Sequence, residues 1–228
     1  MRGTEKLFRA TARRSVRLPY LLYEPQKPAN AAWGDRYPLV VFLHGIGERG
    51  DDLSQVAMHG PPLLAEAGRA FPFYLAAPQC PADSSWVFEL DGLRLFLKEL
   101  VARLPVDTGR IILTGLSMGG FGTWHLAVEN PYAFAGIVPI CGGATSASGL
   151  GERLRAITHV PVWAFHGAKD DVVPLRLQQG LVDRLRAAGG SVDFTVYPEA
   201  GHDSWTEAYD DPKLYGWMME RRNDSYRL

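Results

Sequence analysis

The sequence predicts an α/β fold in which a mostly parallel central sheet is covered by helices on both faces, and three observations carry that prediction. Short apolar runs alternate with amphipathic stretches from about residue 38 onward, the pattern of strands buried on both faces and joined by crossover helices. The connections are short, with no internal repeat, low-complexity tract or linker, so residues 1–228 read as one domain. The third observation is Gly115-Leu116-Ser117-Met118-Gly119, which ends an apolar, β-branched run and passes at once into a helical pattern.

Taken in order, residues 18–23 read as an early strand, antiparallel and at the sheet edge. Pro38-Leu39-Val40-Val41-Phe42-Leu43 is a buried strand ending in His44-Gly45, and residues 73–77 form the next, stopped by Pro78. Apolar residues at 93, 96, 97, 100, 101 and 104 place one greasy face on a helix. The run from Ile111 is the strand that leads to Ser117, and a helix over 121–129 follows, closed by Asn130-Pro131. Residues 136–140 and 161–165 are further strands, 175–188 a helix and 192–197 the last strand. Residues 205–222 read as a terminal helix whose second segment starts at Pro212. Between the strands near Ile140 and Val162 lie only about twenty residues, room for a crossover helix near 151–157 and none for a helical cap. The Gly-, Ser- and Ala-rich stretch 142–151 reads as the most mobile segment.

Composition narrows the function. A formal charge of -1 offers no electrostatic reason to expect nucleic acid or an anionic membrane. No run approaches the ~18 apolar residues of a membrane span. The first residues, with Arg9, Arg13 and Arg14, lack the apolar centre of a signal peptide, so a cytoplasmic protein is expected. Cys80 and Cys141 are too few for a disulfide framework and have no metal-ligand spacing. No cofactor or metal is expected, and a homodimer is compatible with the sequence but not specified by it.

Strand, Gly-x-Ser-x-Gly and helix together describe a nucleophile elbow, a tight turn that presents one hydroxyl clear of the backbone. In a parallel sheet functional residues gather at the carboxyl ends of strands. Two more groups sit at such ends: His166-Gly167-Ala168-Lys169-Asp170-Asp171 after the strand ending at Phe165, and Glu199-Ala200-Gly201-His202 after the strand ending at Tyr197. The order Ser, acid, His is the α/β-hydrolase order, and of six histidines only His202 follows the acid loop. His202 is then the base that takes the proton of Ser117, and it must be neutral to do so, which predicts loss of activity in acid. Asp170 and Asp171 both suit the third role, with Asp171 alternatively capping the following helix. The Met118 amide, at the start of the helix, is one oxyanion donor, and a second is expected from the loop after the strand 38–43.

Phe165-His166-Gly167-x-x-Asp170-x-x-Val173-Pro174 resembles the acid loop of the phospholipase/carboxylesterase-type α/β-hydrolases. Leu43-His44-Gly45-Ile46-Gly47-Glu48-Arg49-Gly50 and Gly201-His202-Asp203-Ser204-Trp205-Thr206-Glu207-Ala208-Tyr209 resemble the predicted esterase or peptidase subgroup, related to polyhydroxybutyrate depolymerases and feruloyl esterases. The likeness runs over about residues 18–219. It implies an α/β-hydrolase fold without a large cap, Asp170 as the acid, and the Ile46 amide as the second oxyanion donor.

Other residues carry quieter expectations. His44 and His166 precede glycines at strand ends and are expected to bond backbone around the site, and His59, His125 and His159 receive no role. Glu48, Arg49, Asp51 and Asp52 form a charged loop that is solvated or tied by a salt bridge, with substrate-carboxylate binding by Arg49 a lesser alternative. Trp86 and Trp205 are placed as candidates for lining the cleft, Cys141 as bordering it, and Trp124 in the core. The reading that results is a serine carboxylesterase acting on small-molecule esters with short acyl chains, through Ser117, His202 and Asp170. A peptidase or thioesterase using the same residues is the rival within enzymes, and a non-catalytic binding protein is the rival outside them.

Overall fold

Seven strands form one sheet in the computed structural model, which describes residues 15–26, 35–144 and 148–228. In chain order they are β1 (Tyr20–Tyr23), β2 (Tyr37–Leu43), β3 (Tyr74–Pro78), β4 (Val106–Leu116), β5 (Gly136–Ile140), β6 (Val162–Gly167) and β7 (Val192–Tyr197). Their spatial order is β1-β3-β2-β4-β5-β6-β7. Every neighbouring pair is parallel except the edge pair β1 and β3, where Tyr20 faces Pro78 in antiparallel register.

The uninterrupted apolar run of β2 follows from its central place, since both of its faces are covered. Leu39, Val41 and Leu43 pack into one core with Trp86, Leu97 and Trp124, while Val40 and Phe42 pack into the other with Phe73, Tyr209 and Met218. The first face is covered by α2 (Leu90–Arg103), α3 (Met118–Glu129), the short α4 (Leu150–Arg153) and α5 (Arg176–Ala187). The second is covered chiefly by α6 (Trp205–Asp210) and α7 (Pro212–Glu220). Among the described residues no helix is long and apolar enough to cross a membrane. The architecture is the α/β-hydrolase fold that the sequence predicts.

Several boundaries differ from expectation, each for a physical reason. β4 begins at Val106, well before Ile111, because Asp107-Thr108-Gly109-Arg110 hides the strand behind polar residues. Those side chains pair locally, Arg110 with Asp107 at 3.5 Å and Arg222 with Asp107 at 3.7 Å. Helix α1 (Gly60–Glu66) was not anticipated. Its opening Gly60-Pro61-Pro62 looks like a breaker, yet proline suits a first helical turn whose amides need no intrahelical partner. α3 starts at Met118 rather than at 121, with the glycines at 119 and 120 already helical. The terminal stretch is two helices and ends at Glu220, the break lying at Asp211, whose carboxylate accepts from the Lys213 amide at 2.8 Å. The crossover between β5 and β6 is α4 followed by a tight turn of helix over Leu154–Ile157. Residues 1–14, on which the signal-peptide reading rests, and 145–147 of the Gly/Ser/Ala stretch lie outside the described residues.

Candidate active site

The end of β4 and the start of α3 meet at Ser117, whose backbone is held at φ 53° and ψ -116°. That region is costly for a residue with a side chain, of order 1–3 kcal/mol, and persists only where the surroundings enforce it. Here they do. The Ser117 amide donates to the Ile140 carbonyl at 3.0 Å, and its own carbonyl accepts from the Phe121 amide at 3.0 Å. A Cβ added to Gly115 would stand 2.5 Å from the Gly119 carbonyl oxygen and 2.8 Å from that of Leu43, and one added to Gly119 would run into the Leu43 oxygen. Only glycine lets the turn nest between the ends of β2 and β5.

The acid and the histidine arrive on two loops that are packed backbone to backbone. A Cβ on Gly167 would collide with the carbonyls of Ala200 and Gly201, the Lys169 amide donates to the Ala200 carbonyl at 2.9 Å, and Lys169 pairs with Glu199. Asp170 is buried. Its Oδ1 accepts from the Val172 and Val173 amides at 3.0 and 2.8 Å, which leaves Oδ2 for His202 Nδ1 at 2.8 Å. With the Nδ1 proton given to Asp170, Nε2 of His202 is the acceptor, and it lies 2.9 Å from Ser117 Oγ. Asp171 is exposed and takes no part in this relay. The geometry thus brings together Ser117, His202 and Asp170 of the residues the sequence singled out.

The amides of Ile46 and Met118 donate to no acceptor among the described residues, and Met118 is the first residue of α3, where the helix dipole adds positive potential. The Ile46 side chain is 60% exposed. Its loop is tied down by Arg49, whose Nε donates to the Ile46 carbonyl at 3.1 Å and whose Nη1 donates to the Ser84 carbonyl at 2.9 Å. Arg49 is therefore spent on backbone rather than on a substrate carboxylate. Gln79 holds the same loop through the carbonyls of Glu48 and Asp52.

His44 and His166 bond backbone, as expected. His44 Nε2 accepts from the Cys80 amide at 3.0 Å and its Nδ1 donates to the Gly45 carbonyl at 2.6 Å; burial lowers its pKa to about 4, so it stays neutral. His166 Nε2 donates to the Val173 carbonyl at 2.8 Å, and burial lowers its pKa as well.

Two pocket expectations are corrected. Trp86 does not line the cleft: it is fully buried beneath the loop that follows β2, its indole donating to the His44 carbonyl at 2.9 Å, because a tryptophan with an internal acceptor is better packed than exposed. Cys141 does not border open space either. It too has a positive φ, 38°, and lies buried with its amide on the Phe165 carbonyl; burial drives its thiol well above the usual range, so it stays protonated. Trp205 is half-buried and meets His202 edge-on, with ring centroids 5.3 Å apart. Trp124 is in the core, as expected.

Two features gave no readable signal. Gln178 is fully buried, its side chain donating to the Phe165 carbonyl at 2.8 Å and accepting from the Gly142 amide at 3.1 Å, which ties the loop after β5 to the acid-bearing strand. Tyr209 places its hydroxyl 2.8 Å from Thr114 Oγ1 under β4. In the sequence both look like ordinary helix residues.

A strained serine at a strand-to-helix turn, joined to aspartate and histidine after the later strands β6 and β7 of a parallel sheet, defines the α/β-hydrolase class. The sequence profile described as phospholipase/carboxylesterase matches residues 91–213, more than half of the chain. The chain belongs to that family, and it is an ester hydrolase of the carboxylesterase and thioesterase type. A Methylorubrum extorquens protein named as a candidate carboxymethylenebutenolidase is 26% identical over 231 residues, covering 89% of this chain and 76% of its own length. Acyl-protein thioesterase 1 of Gibberella zeae is 22% identical over 206 residues, covering 77% of this chain and 88% of its own. A crystal structure of a thermostable esterase superposes with a TM-score of 0.74 at 32% identity, covering 90% of this chain, which spans 59% of that protein's length.

Proposed function

We propose that the chain is a serine carboxylesterase that hydrolyses short-chain carboxylic esters through an acyl-enzyme. The observation that carries this is the unbroken relay from Ser117 Oγ to His202 Nε2 at 2.9 Å and from His202 Nδ1 to Asp170 Oδ2 at 2.8 Å. Ser117 Oγ adds to the ester carbonyl carbon while its proton passes to His202 Nε2. The carbonyl oxygen, now negative, accepts from the amides of Ile46 and Met118, and Asp170 balances the imidazolium. Collapse expels the alcohol, which leaves with the proton from His202, and water then attacks the acyl-serine by the same route in reverse.

The short-chain preference is supported by what surrounds the relay. Ile46, Met58 and Val172 are exposed apolar side chains at 60%, 54% and 65%, on the oxyanion loop, before Gly60 and after Asp170 respectively. Ile46, in the loop after β2, and Val172, whose amide donates to Asp170, are open to solvent rather than covered by other protein. A recess of about 450 Å³ between α4 and α5 is lined by residues such as Leu177, Leu181 and Arg184, none of them in the relay. A relay of this kind is chemically able to cleave thioesters as well, so matched ester and thioester substrates are to be compared directly.

The test is Ser117→Ala together with labelling by a phosphonate ester. The substitution is expected to lower kcat by about four to six powers of ten, leaving only what substrate binding and the oxyanion donors contribute. The wild type should carry one phosphonyl adduct, on the peptide containing Ser117. Near wild-type turnover in the variant would sink the assignment.

A further inference from the structure

Glu48 is a buried charge that the relay does not use. The residue is 8% exposed, and its Oε2 is a buried oxygen without a hydrogen-bond partner among the described residues. Oε2 lies against Gly45, where an added Cβ would stand 3.0 Å away, and 3.8 Å from His44 Nδ1. His44 cannot serve it, because both of its ring nitrogens are committed to backbone. The other oxygen, Oε1, faces Nε2 of His59 at 3.7 Å, beyond the reach of a direct hydrogen bond. Oε2 stays unpaired on the Gly45 side, and Oε1, on the His59 side, is the oxygen of this carboxylate that gains from a donor reaching it.

His59 is the open side of this arrangement. Its side chain is 37% exposed, and its ring meets Trp205 edge-on with centroids 5.5 Å apart. Trp205 in turn meets His202 at 5.3 Å. Glu48, His59, Trp205 and His202 therefore form a continuous band from the oxyanion loop to the ring that transfers the proton. His202 returns its proton to the departing alkoxide, so the surface beside it is where the alcohol half of an ester lies.

We propose that Glu48 and His59 recognise a hydroxyl group carried on the alcohol half of the ester, so that the preferred substrates are monoesters of diols or polyols. This rests on the serine-esterase reading and names the substrate class for it. A hydroxyl is the group that fits, since it donates and accepts at once. An oxygen about 2.8 Å from each partner closes the gap, giving its proton to Glu48 Oε1 and accepting from His59 Nε2–H. An ether in the same place leaves the carboxylate without a donor, which is the arrangement that discriminates most strongly.

The experiment compares kcat/KM for 2-hydroxyethyl acetate and 2-methoxyethyl acetate, which share the acyl group and nearly the same electron withdrawal. A second pair, ethyl 3-hydroxybutyrate and ethyl 3-methoxybutyrate, places the same change on the acyl half. The wild type is expected to prefer the hydroxyl ester of the first pair by about ten-fold or more and to show little preference in the second. In His59→Phe, which keeps an aromatic ring against Trp205, and in Glu48→Gln, the ratio within the first pair should fall toward one, whatever the absolute rates. A wild-type ratio near one in the first pair overturns the proposal, and a preference confined to the second pair overturns its placement on the alcohol half. Failure to hydrolyse all four esters, with no phosphonate labelling of Ser117, overturns the esterase reading and this inference with it.

Discussion

His166 Nε2 lies 3.2 Å from Oδ2 of Asp170, the same oxygen that takes Nδ1 of His202 at 2.8 Å. With the Val172 and Val173 amides on Oδ1, every side of the buried carboxylate is held. Asp170→Asn puts an amide among these donors and destroys the acceptor that orients His202. It is expected to lower kcat by about three to four powers of ten, while Asp171→Asn, on an exposed side chain, changes kcat less than about two-fold. Steady-state kinetics on a nitrophenyl ester decide it, and the reverse order would move the acid by one residue.

Acyl length gives a second prediction. Each buried methylene contributes about 0.8 kcal/mol, but only where protein covers it. With Ile46 and Val172 open to solvent, kcat/KM for nitrophenyl esters should peak at about two to six carbons and then fall. An optimum at long chains, measured below their aggregation limits, would contradict the open cleft.

Stability should fall in mild acid. Burial sets the His44 pKa at about 4 in the folded protein, below the 6.5 of a free imidazole. Above pH 6.5 both folded and unfolded chains leave it neutral and stability is complete. Between pH 6.5 and 4 the unfolded chain binds a proton that the folded one refuses, so stability is lost progressively, by about 3 kcal/mol from this residue once below pH 4. His125 and His166, also lowered by burial, act in the same direction. Urea midpoints from pH 7 to pH 4.5 should slope downward, and His44→Gln should be less stable at pH 7 but flatter with pH. An unchanged slope in the variant would remove His44 from the account.

Gln178→Leu removes the acceptor of the buried Gly142 amide and the second donor to the Phe165 carbonyl. The expected cost is about 2–3 kcal/mol, chiefly from the amide left unpaired. Because that loop follows β5 beside the elbow, kcat should fall as well. Equilibrium unfolding that shifts by less than about 0.5 kcal/mol would show that the loop is held by other contacts.

Much of the fold was legible because the central strands are buried on both faces. Val40, Phe42 and Ile112 alternate with Leu39, Val41 and Ile111 into two separate cores, so the runs read as strands without ambiguity. Legibility failed where polar or breaker residues did structural work. The first half of β4 is half-buried and polar, and α1 (Gly60–Glu66) opens on Gly-Pro-Pro.

By itself the sequence determined the elbow, because Gly115, Ser117 and Gly119 are local, and the order of the strand ends that carry Asp170 and His202. It could not decide where Trp86 and Cys141 lie, since a strand-end residue can turn outward to a cleft or inward beneath it. That choice depends on acceptors far along the chain, the His44 carbonyl for the Trp86 indole and the Phe165 carbonyl for the Cys141 amide. The same holds for Glu48 and His59. Eleven positions apart in the chain, they face one another at 3.7 Å and reach His202 through Trp205, a residue brought beside them by the fold. Local chemistry is written in neighbouring residues, whereas burial and partnership are properties of the packed whole.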